Sequence, residues 1–375
     1  MLEKDHDNKS SAGDYYDYSN LAWDEVGSIQ LQADTESSYF GMDINQGYRN
    51  FGRFYPALFT VISTTWTYPN SPGTFVYMGQ PFDGVEFEVE AFSGSSITPE
   101  LQNYAHDEYD KDNLGIRASF NLFEDSTEFG SRFNAPNMTG EDWDVRDGTR
   151  SVGTFSFGSS SECSTGVCWK KRTDFVEDGP FNSDENIEDS LISVSGMSDD
   201  PINYTTDGQR LSEQPDIRFG RIVLEDLGGI EDTNITVPLA VEYWNGSRFL
   251  SNTDDSSTGF DGSRHCYQVI RSDHTNNAAL GGSDTVSFGE SNDLVASQTD
   301  AAREQIRFWL TLDSSAGENG ESDSCTTGDN ELPWLRYNWD GSDSDEEDPS
   351  AVVTFGIHRG NDKVIFRGES GLTGQ

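Results

Sequence analysis

The stretch VEFEVEAF, residues 85–92, puts Val85, Phe87, Val89 and Ala91 on one side of an extended chain and Glu86, Glu88 and Glu90 on the other. Successive side chains of a strand point to opposite faces. Alternation with one apolar side therefore predicts an antiparallel strand with one face on a core and one face wet. The same period of two returns at Ile29–Leu31–Ala33, Ile116–Ala118–Phe120–Leu122 and Val237–Leu239–Val241–Tyr243. It returns again at Ile306–Phe308–Leu310–Leu312 and Val353–Phe355–Ile357. Between these lie segments rich in Asp, Asn, Gly and Ser, such as SNTDDSSTGFDGS (251–263) and SSAGENGESDS (314–324), which read as turns and long loops. Helix signals are few: one turn after Pro99, and another short turn over Asp300–Gln305. The predicted fold class is all-β, with tandem immunoglobulin-like or Greek-key β-sandwich domains carrying long polar loops.

Residues 1–20 are polar and read as an N-terminal tether. The turn-rich stretch 193–216 precedes a firm strand at Ile217, which sets a domain boundary near residue 210. The expected units are 21–210 and 211–375. The chain has 375 residues, enough for sizeable cores. Hydrophobic content is low at 33%, but 12% of residues are aromatic, which separates this chain from disordered acidic ones. The formal net charge is −43, so no basic footprint for nucleic acid exists, and an anionic membrane surface is disfavoured in the same way. No apolar run approaches the roughly 20 residues that cross a bilayer, so direct membrane insertion is not expected.

The four cysteines are Cys163, Cys168, Cys266 and Cys325. They form no CxxC pair and lack the spacing of a zinc knuckle. Their even number favours two disulfides, Cys163–Cys168 and Cys266–Cys325, among three possible pairings, and with them an oxidising compartment. Catalytic signatures are absent: no GxSxG elbow, no HExxH, no phosphate loop and no GxGxxG fingerprint occur. The expectation is that the protein is not an enzyme. The most specific local feature is WDGSDSDEEDP (339–349), where Asp340, Asp343, Asp345 and Asp348 are spaced by small residues and Gly341. Calcium takes six to eight oxygen ligands, and short Asp-rich loops with Gly supply them, so this loop is a candidate Ca2+ site. The competing reading is a solvated acidic turn. Asp254, Asp255 and Asp261 form a second, weaker candidate. Among the aromatics, Trp334, Tyr337 and Trp339 beside the acidic loop are candidate ligand contacts, because Tyr and Trp join an apolar face to a polar tip. Asn245-Gly246 between Trp244 and the next strand reads as a hairpin turn.

Several strings together resemble a known family. They are GRFYPALFTV (52–61), IRFGRIVLED (217–226), VPLAVEYWNGSRFLSNTDD (237–255) and LPWLRYNWDGSDSDEEDPSAVVTFGIHRGNDKVIFR (332–367), with the earlier WDEVGSIQLQA (23–33). The set resembles the C-terminal region of MshQ-like proteins, which are encoded with the mannose-sensitive haemagglutinin (MSHA) type IV pilus. The resemblance implies an extracellular protein of the cell surface or pilus, acting in adhesion or pilus assembly. Relatives place a Cys directly after NTDDS, where this chain has Ser257. The expected function is a pilus-associated adhesin or pilus-tip module that attaches to surfaces or glycans without catalysis. The alternatives are a structural stalk or pilus-assembly component that docks minor pilins, and a polysaccharide-acting hydrolase.

Overall fold

The computed structural model describes residues 8–9, 16–17, 22–34, 38, 40–94, 100–106, 117–126, 129–183, 190–272, 277–313, 322–342 and 345–356. Nearly all of its regular structure is strand. VEFEVEAF lies in the antiparallel strand Gly84–Phe92, and Val85, Phe87, Val89 and Ala91 are all buried. It lies inside a four-stranded sheet, between Arg150–Phe157 and Leu58–Thr67, with Gly140–Arg146 on the far edge. Across the core stands the pair Ser119–Glu124 and Ile192–Met197. Aromatic rings fill the gap: Phe87 stacks on Phe155 at 5.3 Å, and Phe120 meets Phe59 and Phe155 edge-on, each at 5.3 Å. The glutamate face is drier than alternation alone implies. Glu86 is exposed, Glu88 pairs with Arg146, and Glu90 is buried with Arg150 at 3.2 Å.

The second unit repeats the scheme with its own core. A five-stranded sheet runs in the order Leu227–Gly229, Ser350–Phe355, Glu304–Leu310, His265–Ser272, Ser324–Cys325. A second sheet holds Gly220–Leu224, Leu239–Trp244 and Phe249–Ser251. Ile306, Phe308, Leu310, Val241 and Val353 meet between them, each fully buried. Trp244 pairs with Phe249 across a turn in which Gly246 has φ +89°, so Asn245-Gly246 is the expected hairpin turn.

The two units are joined by one strand that serves both. Phe75–Tyr77 pairs in parallel with Asp216–Arg218. Because side chains alternate, Phe75 and Tyr77 enter the second core while Val76 and Met78 enter the first. Gly220 lies so close beneath Tyr77 that a Cβ there would stand 2.4 Å from its ring. The stretch 193–216, expected as a turn-rich connection, is built into the first unit. Ile192–Met197 is a strand, Val61 N–H donates to the Gly208 carbonyl, and Leu211 N–H donates to that of Ile192.

Three further expectations change. Ile29, Leu31 and Ala33 lie on the strand Gly27–Ala33, but its only partner among the described residues is Gly47–Phe54, and Leu31 stays 40% exposed. The alternation is real; no second layer covers it among the described residues. Asp300–Gln305 holds no helical turn, because the strand Glu304–Leu310 has already begun; the other expected turn is the 3-10 turn Asn103–Ala105, past Pro99, which lies outside the described residues. The loop 251–263 is anchored inward in part: Asn252 and Asp255 are fully buried, while Thr253, Asp254, Gly259 and Ser263 stay exposed. Of the expected tether 1–20, only Asn8–Lys9 and Tyr16–Asp17 are described, and they pair antiparallel.

Candidate functional site

Trp334 sits in the 3-10 turn Pro333–Leu335, half-buried against the second core and above Gly79. It faces the junction of the two units. Tyr337 and Trp339 follow as the chain leaves the turn, and their rings meet edge to face at 5.0 Å. Phe249 lies 5.3 Å from Tyr337. The Arg221 guanidinium is held over three of these rings, at 3.5 Å from Phe249, 4.8 Å from Tyr337 and 5.0 Å from Trp339, and it pairs with Glu242 at 2.7 Å. Each such cation–ring contact contributes about 0.5–1 kcal/mol at exposed sites and more when desolvated. The Tyr337 hydroxyl donates to Glu177. Burial, and then that carboxylate, push the phenol up to about 12. The result is a stiff aromatic shelf whose outer member, Trp339, is 40% exposed.

The acidic loop grows out of this shelf. Tyr337 and Glu347 exchange backbone hydrogen bonds at 3.2 and 2.9 Å, which close residues 338–346 into a loop. Lys171, reaching over from the first unit, donates to Glu346 at 2.8 Å and to the Arg336 carbonyl at 2.6 Å. Burial lowers the Lys171 ammonium and also raises the carboxyl of Glu347. The four candidate aspartates are not gathered at one point. Asp340 and Asp345 are exposed at the loop, and Asp343 lies outside the described residues. Asp348 is turned inward, where it accepts from Arg336 at 3.2 Å and from Leu312 N–H at 3.1 Å. Among the described residues, no group of three or more His, Cys, Asp or Glu converges as metal ligands.

The second candidate set also divides. Asp261 accepts from Ser263 and lies 3.4 Å from Arg264. Asp254 pairs with Arg218 at 2.8 Å. Asp255 is fully buried and belongs to a network that sequence reasoning missed. It accepts from the Tyr77 hydroxyl at 2.8 Å and the Thr258 hydroxyl at 2.6 Å. Asn252 donates to Tyr77 at 2.7 Å and accepts from Arg218 at 2.6 Å. A carboxyl group this deep is tolerated because both of its oxygens accept hydrogen bonds. The network joins the units at the shared strand, so Asp255 holds the fold together. The signal available in the sequence was FVYM (75–78), a continuous apolar run of the kind buried on both faces.

Both expected disulfides are present. Cys163–Cys168 closes a short loop, and Cys266–Cys325 links directly paired residues of the five-stranded sheet. They place the protein outside the reducing cytosol. Among the described residues no helix is long and apolar enough to cross a membrane. No curated protein matches the chain. Two family models do: residues 25–216 match the one described as DUF6701, third domain, and residues 218–370 the one described as DUF6701, fourth domain. Their meeting point falls within Asp216–Arg218, the strand that pairs with the shared Phe75–Tyr77. With both models together spanning most of its length, the chain belongs to the DUF6701 family.

Proposed function

We propose that this chain is an extracellular, pilus-associated attachment module that holds a surface or glycan by weak contacts and catalyses no reaction. The observation that supports it best is the Trp339 shelf. An exposed indole is backed by Tyr337 and Arg221, and the carboxylates of Asp340 and Glu347 lie close by in the chain. An apolar ring face beside hydrogen-bonding groups is the chemistry that recognises a sugar ring. Single contacts of this kind are weak, and repetition on a pilus multiplies them.

The test is retention of beads coated with the chain on a glycan array and on solid surfaces. It is run in calcium and again in a chelator, which also reads the calcium expectation for Asp340, Asp343 and Asp345. Trp339→Ala is expected to cut retention at least tenfold. Beads that are never retained, in either condition, would overturn the reading.

A second reading rests on a different observation. The hairpin Gly27–Ala33/Gly47–Phe54 exposes Leu31 and Phe51 on one face, apolar side chains that a protein partner would cover. On this reading the chain is a pilus-assembly component that docks minor pilins. Pull-down of minor pilins, lost in Leu31→Asp, would favour it over adhesion.

A further inference from the structure

In the first unit, the turn 204–210 folds over the strand Ile192–Met197 and leaves a cleft of about 280 Å³. Ser193 and Thr205 line it together with Tyr204 and Gln209. Asp125, Asp207 and Arg210 supply its charges. The cleft is built rather than incidental. The turn is bonded to one sheet through Phe59 N–H to the Asn203 carbonyl and Val61 N–H to that of Gly208. It is bonded to the opposite strand through Val194 N–H to the Gln209 carbonyl. The Thr205 and Thr60 hydroxyls meet at 2.6 Å. Tyr204 is fixed at both ends, its ring edge-on to Phe120 at 6.3 Å and its hydroxyl accepting from Gly196 N–H at 2.9 Å. Asp207 holds φ +57°, a left-handed conformation that a non-glycine residue keeps only where its surroundings impose it.

Inside this frame the polar side chains are left over. Ser193 is fully buried, yet its hydroxyl has no hydrogen-bond partner among the described residues. Buried hydroxyls are nearly always bonded, so this one points to a group that the described residues do not supply. The side chains of Asp125, Asp207, Gln209 and Arg210 make no hydrogen bond or ion pair with another described residue. For Arg210 that is unusual in a chain of net charge −43, where carboxylates are everywhere.

The lining selects a ligand class. An anion would meet two carboxylates, and a metal cation would meet the Arg210 guanidinium. A neutral polyhydroxylated ring meets neither objection. Its hydroxyls donate to Asp125 and Asp207 and accept from Arg210 and the Gln209 amide, while Ser193 and Thr205 serve in either role. Pockets for drug-sized ligands start near about 300 Å³, so this cleft suits one ring and no more. We propose that the cleft binds a single neutral hexose-type sugar unit. The inference deepens the attachment reading and rests on it only in naming a glycan as what is attached.

The test is saturation-transfer NMR and calorimetry on the full chain, with a panel of neutral aldohexoses and N-acetylhexosamines. At least one sugar is expected to bind. Asp207→Asn, which tolerates the left-handed backbone, and Gln209→Ala are each expected to weaken it about tenfold or more with an unchanged melting temperature. No binding by any sugar, or binding that survives both substitutions, overturns the inference. The bead assay judges attachment separately. Retention without sugar binding removes this inference and leaves attachment standing; sugar binding without retention supports the cleft and removes attachment.

Discussion

His265 shows how one buried side chain writes a pH dependence into the fold. It is buried edge-on to Phe308 at 5.4 Å, and its Nδ1 lies 2.8 Å from the Gly262 carbonyl. A carbonyl only accepts, so Nδ1 carries the proton and donates it. Burial holds the ring below its ordinary 6.5, against the smaller upward pull of that carbonyl. Above about pH 6.5 neither the folded nor the unfolded chain protonates this ring, and it contributes nothing to pH dependence. As pH falls below about 6.5 the unfolded chain takes up a proton that the folded chain refuses. Stability therefore drops with falling pH until the folded-state value is passed, and then levels. His265→Gln keeps a donor for Gly262 and removes the titration. The predicted outcome is a flatter loss of urea midpoint between pH 7.5 and 5 in the variant than in the parent. Parallel curves would show that His265 is not the group responsible.

At the scale of elements, identical alternation met two fates. In Gly84–Phe92 the apolar face found a core; in Gly27–Ala33 it found none among the described residues. Periodicity reports that a chain is pleated and two-faced, but the covering layer comes from elsewhere in the sequence, so the strands were legible and their burial was not. The acidic loops misled for a related reason. An Asp in a turn and an Asp inside a hydrogen-bonded knot look alike in a string of letters, and only the partners Tyr77, Thr258 and Arg336 tell Asp255 and Asp348 from the exposed Asp340. The sugar cleft was invisible because its residue types are common and come from three separated segments. The contrast between the two strands is measurable. Phe87→Ala, which empties a fully buried ring position, is expected to cost about 3–5 kcal/mol. Leu31→Ala on the open hairpin is expected to cost under about 0.5 kcal/mol. Chemical denaturation of both variants reads the difference, and a comparable loss at Leu31 would mean that its face is covered in solution.

For the whole molecule the question is whether the two units behave as two. Each has a core of its own, and the family models part them at residues 216 and 218. Yet Phe75 and Tyr77, carried by the first unit, fill part of the second core. If the second unit opened alone, both rings would face water, the buried Asp255 would lose the Tyr77 hydroxyl, and Lys171 would lose Glu346 and the Arg336 carbonyl. If the first opened alone, the second core would lose the rings that plug it. Partial unfolding therefore exposes apolar area and strands buried polar groups whichever side goes first, and the units are expected to melt together. Calorimetry at fixed pH should show one transition whose calorimetric and van't Hoff enthalpies agree. Tyr77→Phe leaves Asn252 and Asp255 short of a partner and should lower the single transition by about 1–3 kcal/mol without splitting it. Gly220→Val goes further, because its Cβ would stand 2.4 Å from the Tyr77 ring and force that ring out of the second core. There the prediction is two separated transitions. Two transitions already present in the unaltered chain would mean that the shared strand joins the units in space without joining their stabilities.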